Sequence, residues 1–416
     1  MSDVERAAAA VDEARLWRRQ MGLARFGATA RGGVNRQALS AEENEARRWI
    51  ADWAAGLGLG IAVDPVGNLF VRYEGRDPAA APVMTGSHID SQPTGGKFDG
   101  AYGVMAGYEV LEALVAAGIR PLRPIVVAAW TNEEGSRFQP GCTGSRAFVG
   151  NTPLEALLEE RDGAGTRFGD ALEATLDATP NARRLPLGFP VHAYVEAHIE
   201  QGPILEQQAK TIGAVTSIQG ARRYTVEVLG EEAHAGTMPV GQRKDALRAA
   251  VRMITALQDL MADPEDVVKF TVGRLECHPG SVNVVPGRVR FTIDFRHPSA
   301  AELARRGDLI EPVCRALAGG CAVSVAVNAV SAPVEFPAGM VDAVEGVSRA
   351  LGLPTMRLPS GAGHDAGYLS QVCPTGMIFI PCAKGISHNE VEDATPADLA
   401  AGARVLAGVL VRLAGE

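Results

Sequence analysis

Between residues 60 and 131, short apolar runs of strand length alternate with one stretch of helical periodicity, and this alternation restricts the fold more than any other feature. "IAVDPVGNLFVRYEG" and "PVMTGSH" read as strands bounded by turn residues. "GVMAGYEVLEALVAAG" has the spacing of a helix, and "RPIVVAAWTNEEG" is a strand again. Upstream, "SAEENEARRWIADWAAGLGL" predicts a further helix, with Ser40 as its start signal and Glu43 three residues on. Strands alternating with helices predict an α/β domain around a largely parallel sheet. In such sheets ligands bind beyond the carboxyl ends of the strands. The segments "SHIDS" and "TNEEG" lie just there.

Near residue 213 the texture changes. "RRYTVEVLG", "VVKFTVGRLECHPG" and "RVRFTIDFRHP" alternate apolar and polar residues, as half-exposed antiparallel strands do. Two helical stretches, "RKDALRAAVRMITALQDLMA" and "SAAELARRGDLIEPVCRALA", sit among them. After about residue 330 the α/β texture returns with "MIFIP" and a closing helix at "PADLAAGARVLAGVLVRLA". The expected architecture is a two-domain α/β protein, with a smaller α+β domain over 213–329 inserted between the segments 1–212 and 330–416 of the larger one. At 416 residues, two domains are also the natural expectation from length.

A formal net charge of −9, with no Lys/Arg cluster, argues against a nucleic-acid groove or an anionic membrane surface as partner. The six cysteines are scattered without a CxxC pair and read as reduced thiols. The amino terminus carries charges throughout and lacks an apolar signal core, and no apolar run reaches the length of a membrane span. The simplest expectation is a soluble cytoplasmic protein.

The chemistry concentrates in four clusters at predicted strand ends: His88/Asp90/Asp99, Glu133/Glu134, Glu196/His198/Glu200 and His388/Glu390. Histidine with carboxylate invites either a proton relay or a metal. Without cysteine, a metal would be Zn²⁺, Mn²⁺, Co²⁺ or Ni²⁺ rather than Mg²⁺ or Ca²⁺. Taken singly, each cluster has a bland reading: a loop histidine is usually capped or solvated, Glu-Glu pairs are common on surfaces, and Asp99 suits a turn. Four such clusters at the strand ends of one α/β domain are harder to dismiss.

Seven segments carry a family resemblance: "GSHIDSQPTGGKFDG", "TNEEGSRF", "EAHIEQGPILE", "EEAHAGTMP", "SVNVVPG", "GAGHDA" and "GISHNEVE". In order, from about residue 40 to the end, they resemble the amidase/hydantoinase/carbamoylase branch of the M20 metallopeptidases. That branch includes N-carbamoyl-L-amino acid hydrolases, β-ureidopropionases and allantoate amidohydrolases. The resemblance implies two divalent metal ions per subunit. His88 and His198 would be terminal ligands of one, Glu134 and His388 would hold the other, and Asp99 would bridge them. Glu133 would be the general base, and Asp90 the carboxylate that orients the His88 ring. His198 itself departs from other M20 peptidases, which usually place Asp or Glu there. The resemblance also implies a cis peptide bond between Asp99 and Gly100.

The same resemblance assigns the substrate side. His234 would stabilise the oxyanion, Arg296 would grip a substrate carboxylate, and Asn283 and Gln201 would read a ureido group. Gly361 and Gly363 would offer backbone N–H groups to an anion, together with His364. The implied substrate is an N-carbamoyl amino acid or related ureido acid, hydrolysed to the L-amino acid, CO₂ and ammonia. Allantoate amidohydrolase and β-ureidopropionase share nearly every motif. An aminoacylase or peptidase fits less well because of His198, and a non-catalytic metal-dependent binding protein because no ligand or base is missing. The inserted domain is expected to form a homodimer, with His234 and Asn283 serving the partner's site and Arg296 its own.

Overall fold

The computed structural model describes residues 1–415. They divide into two compact units, one of Met1–Thr216 together with the chain from Phe336 onward, the other of Ser217–Glu335.

The larger unit is built on a mixed sheet whose centre is four parallel strands. In spatial order these are Thr375–Ile380, Ala193–Ile199, Val83–His88 and Ile125–Trp130. Every residue of all four is buried, which is why they read as continuous apolar runs rather than alternating ones. Ile212–Ile218 flanks them antiparallel on one side. The Gly60–Val63/Leu69–Tyr73 hairpin flanks them on the other. Helix Ala101–Ala117 packs on this centre so tightly that a Cβ on Gly103 would lie 2.2 Å from the carbonyl oxygen of Ala197. Helix Pro396–Gly415 closes the unit with most of its residues buried.

The predicted helix after Ser40 runs Ala41–Gly56. Ser40 Oγ accepts the Glu43 N–H at 3.2 Å, but the reciprocal half of a capping box is absent. The Glu43 carboxylate instead takes the Leu39 N–H and pairs with the buried Arg47 at 3.0 Å.

The smaller unit is an α+β sandwich. Its antiparallel sheet has the order Lys269–His278, Arg288–His297, Gly220–Leu229, Ala322–Ser331. The last of these was not anticipated. Helices Ala246–Met261, Ala300–Gly307 and Ile310–Ala316 pack on it through a core that includes Val226, Met253, Leu257, Phe291 and Phe295. The single helix expected at "SAAELARRGDLIEPVCRALA" is thus two, separated at Asp308 and Leu309. A separate two-stranded ladder pairs Ala233–His234 with Val284–Val285. The six cysteines are free. Among the described residues, no helix is long and apolar enough to cross a membrane.

Candidate metal centre

Four chain segments leave the carboxyl ends of the central parallel strands side by side. His88 is the last residue of its strand, and His198 is the penultimate residue of the neighbouring one. Glu133 and Glu134 follow the Trp130 strand, and His388 lies in the loop after Ile380. Strand order therefore brings together residues that are far apart in the chain.

Asp99 is the meeting point. Its Oδ1 lies 3.3 Å from His198 Nε2 and 3.9 Å from His88 Nε2. Its Oδ2 lies 3.2 Å from His388 Nε2, which is in turn 3.5 Å from Glu134 Oε2. One carboxylate thus faces two donor groups, one with each oxygen. In each group, His88/Asp99/His198 and Asp99/Glu134/His388, the potential ligand atoms lie within 4.8 Å of one another. The donors are nitrogen and oxygen only, which suits borderline divalent ions. The residues present fit a pair of such ions sharing a carboxylate.

His88 and His198 each have their second nitrogen engaged. His88 Nδ1 lies 3.0 Å from the backbone oxygen of Asp90, and His198 Nδ1 lies 2.8 Å from that of Ile199. These carbonyls accept the Nδ1 protons and turn each Nε2 toward Asp99. The expectation that the Asp90 carboxylate orients His88 is corrected here. That carboxylate lies 3.7 Å from Nδ1 and instead accepts the backbone N–H groups of Glu133 and Glu134, each at 3.2 Å. Backbone geometry is the reason: Asp90, two residues past the end of the His88 strand, turns its carbonyl, rather than its side chain, under the ring.

The Asp99–Gly100 bond is also corrected. Among the described residues the cis bonds are Gln139–Pro140 and His278–Pro279, so Asp99–Gly100 is trans. Trans is the lower-energy form at a non-proline bond. The turn is made by Gly100 itself, at φ 63° and ψ −50°. A Cβ there would lie 2.2 Å from His88 Nε2, so only glycine lets the backbone pass beneath the ring.

Charge follows position. Burial pushes His88 down to about 4, leaving a neutral ring. Burial opposes a charge on His198 as well, but the hydrogen bond and charge of Asp99 outweigh it and raise that ring to about 9. The bond to Asp99 likewise raises His388 to about 9. Burial works against ionised Asp99, yet its bonds to these two imidazoles hold its carboxyl well below the usual range. Glu133 is pushed well above the usual carboxyl range by burial, then by the charges of Asp365 and Glu134. Burial and the charge of Asp99 raise Glu134 to about 7.

Several residues around the centre were not singled out from the sequence. Glu392 is buried, and its Oε1 accepts the N–H groups of Phe98 at 2.9 Å and Asp99 at 3.0 Å. Its Oε2 accepts the Ser387 hydroxyl at 2.8 Å. Gln92 holds Glu134 from its backbone N–H at 3.1 Å and from Nε2 at 2.7 Å. Glu392 and Ser387 lie in "GISHNEVE" and Gln92 in "GSHIDSQPTGGKFDG", but nothing local distinguished them from loop residues. Conversely, Glu390 pairs with Arg31 at 3.2 Å and accepts from Thr29 Oγ1 at 2.6 Å, and Glu200 caps the helix Ile204–Gln207. Neither joins the centre. Glu196, His198 and His364 form a third close group. The Glu196 oxygens, however, already accept from Ser87 Oγ, Tyr194 Oη and the Ala366 N–H.

Among the expected substrate residues, Gln201 donates from Nε2 to Asp99 Oδ2 at 3.0 Å, so here it serves the central carboxylate. His364 is buried and kept neutral by burial, with Nε2 2.9 Å from Ser360 Oγ and its ring edge-on to His198. Gly361 and Gly363 lie in the turn before His364, with open space where a Cβ would be. In the smaller unit, Arg296 donates from Nε to Asp294 Oδ1 at 2.8 Å. His234 is exposed and pairs in register with Val284, beside Asn283, whose carbonyl accepts the Ala235 N–H at 2.9 Å.

Comparison with known proteins places the chain in a family. The pattern of peptidase family M20/M25/M40 matches residues 84–412. An N-carbamoyl-L-amino-acid amidohydrolase of Rhizobium meliloti is 41% identical over 403 residues, covering 95% of each chain. The allantoate amidohydrolase of Escherichia coli is 36% identical over 409 residues, covering 98% of each. Among solved structures, a hydantoinase/carbamoylase-family amidase from Burkholderia multivorans superposes with a TM-score of 0.92 at 46% identity, covering 98% of each chain.

Proposed function

The chain belongs to peptidase family M20/M25/M40, and from that premise we propose that it is a metal-dependent amidohydrolase acting on N-carbamoyl-L-amino acids. The observation that carries the reading is the two-sided placement of Asp99 between His88/His198 and Glu134/His388. These five residues would hold two divalent ions, Zn²⁺, Mn²⁺, Co²⁺ or Ni²⁺, with Asp99 shared. Such ions supply Lewis acidity, which lowers the pKa of water and polarises a carbonyl. The substrate class is supported by the names of relatives sharing 38 to 41% of their residues with this chain.

The remaining steps fall to side chains. Glu133, with Oε2 3.5 Å from His88 Nε2, takes a proton from the attacking water. The water oxygen bonds to the ureido carbon, and a C–N bond breaks. Glu133 returns the proton to the departing nitrogen. The carbamic acid product then separates into CO₂ and amine, so that amino acid, CO₂ and ammonia result. Asp90 keeps Glu133 and Glu134 in register through their backbone N–H groups. Arg296 binds the substrate carboxylate by exchanging it for Asp294, and His234, with Asn283, completes the oxyanion and ureido contacts.

The smaller unit serves as lid and homodimer interface, with His234 contributed to the partner's centre. Its support is the sheet's two edges, which leave Leu275 46%, Val327 58% and Val330 61% exposed. Ammonia release from N-carbamoyl-L-methionine, N-carbamoyl-β-alanine, allantoate and a dipeptide, each with Mn²⁺, Co²⁺, Ni²⁺ or Zn²⁺, tests the reading. Turnover of the first substrate above the others supports it. Preference for allantoate or the β-alanine derivative transfers the chain to that neighbouring activity, and dipeptide cleavage alone overturns the reading.

A further inference from the structure

Glu133 sits in a tightly bonded loop. Asn132 Nδ2 donates to the Phe138 carbonyl at 2.9 Å and to Thr143 Oγ1 at 2.7 Å, and the Cys142 N–H closes back on the Glu133 carbonyl at 2.8 Å. The loop holds the backbone of Glu133 but not its carboxylate. Among the described residues, one hydrogen-bond donor reaches that carboxylate, the Cys142 thiol, with Sγ 3.2 Å from Oε1. Cys142 reaches it from a left-handed backbone, φ 53° and ψ 32°, uncommon for a residue with a Cβ. The other oxygen, Oε2, points toward His88 Nε2. The two oxygens therefore have separate neighbours, one the thiol and one the metal-ligand side.

We propose that Cys142 is a positioning residue for the hydrolysis, holding Oε1 of Glu133 through its S–H so that Oε2 stays aimed at the reacting water. The inference rests on Glu133 being the general base. A thiol suits the task because it is a weak donor. It restrains rotation of the carboxylate without engaging it as strongly as a cationic partner would. Glu133 is a short-range proton carrier, so a small swing of its carboxylate removes it from reach of both water and leaving nitrogen.

Five variants of the full-length, metal-loaded protein test this. Cys142→Ala should lower kcat about 10- to 100-fold with KM and metal content unchanged, the size expected for misplacing a catalytic group. Cys142→Ser, which keeps a donor, should restore most of that loss. Cys142→Gly removes the donor in a residue that favours the left-handed backbone, and it replaces the alanine variant should that one fail to fold. In a Glu133→Gln background the alanine change should have no further effect on the residual rate. Wild-type kcat in metal-loaded Cys142→Ala or Cys142→Gly overturns the proposal, as does an undiminished effect in the Glu133→Gln background. Near-normal turnover of Glu133→Gln alone would instead remove the base assignment, a separately readable outcome.

Discussion

Glu392 Oε1 accepts the backbone N–H of Asp99 at 3.0 Å across 293 residues of sequence. Its other oxygen accepts the Ser387 hydroxyl, which lies 3.1 Å from Asp99 Oδ2. Asp99 is thus held from behind through its main chain, and the one Ser387 proton can go to either its carboxylate or that of Glu392. Orientation of a metal-bridging carboxylate depends on such supports, whose loss typically costs about 10- to 100-fold in metal affinity. Glu392→Ala should weaken divalent-ion binding by that order, read by competitive chelator titration. Unchanged affinity would assign Glu392 to loop stability alone.

Asp99 and Glu133 should separate cleanly. Asp99→Ala removes the carboxylate proposed to be shared, so elemental analysis should find metal content reduced together with activity. Glu133→Gln should keep its metal and lose about 10²- to 10⁴-fold in turnover, the range of general-base contributions. A Glu133→Gln protein that has lost its metal would place Glu133 among the ligands.

Metal loading should release protons. In the metal-free protein, bonds to Asp99 raise His198 and His388 to about 9, so both rings are protonated at pH 7. Ligation requires the neutral imidazole. A raised pKa favours the proton, so apparent metal affinity should fall as pH drops below about 9 and level off above it. Calorimetry at pH 7 in buffers of different ionisation enthalpy should show on the order of two protons released per loaded subunit. Release of none would mean the rings are already neutral.

The assignment of His234 to the partner's centre is open to complementation. Inactive Glu133→Gln chains mixed with inactive His234→Ala chains should form heterodimers in which one of two sites has both groups intact. About half of the wild-type rate per heterodimer is expected from that symmetry. Verified subunit exchange with no return of activity would put His234 in its own chain's site or outside catalysis.

What the sequence determined by itself is local. Burial on both faces turns "VMTGSH" and "IVVAAW" into continuous apolar runs, so the parallel strands could be recognised one at a time. The motifs at their ends named the residues that meet at Asp99. Strand Ala322–Ser331 escaped notice because most of its residues are exposed, which removes the apolar signature of a buried strand. The paired helices Ala300–Gly307 and Ile310–Ala316 share one amphipathic pattern across their break, so periodicity could not divide them. The tertiary structure alone decided how the centre is supported. Whether Asp90 meets His88 with its carboxylate or its carbonyl depends on the turn after the strand. Whether Glu390 or Glu392 backs Asp99 depends on how a distant loop packs against Gly96 to Gly100. Side-chain type and spacing state which atoms are available to bond. Which atoms do bond is set by long-range contacts, formed only when strands distant in sequence become neighbours in the sheet.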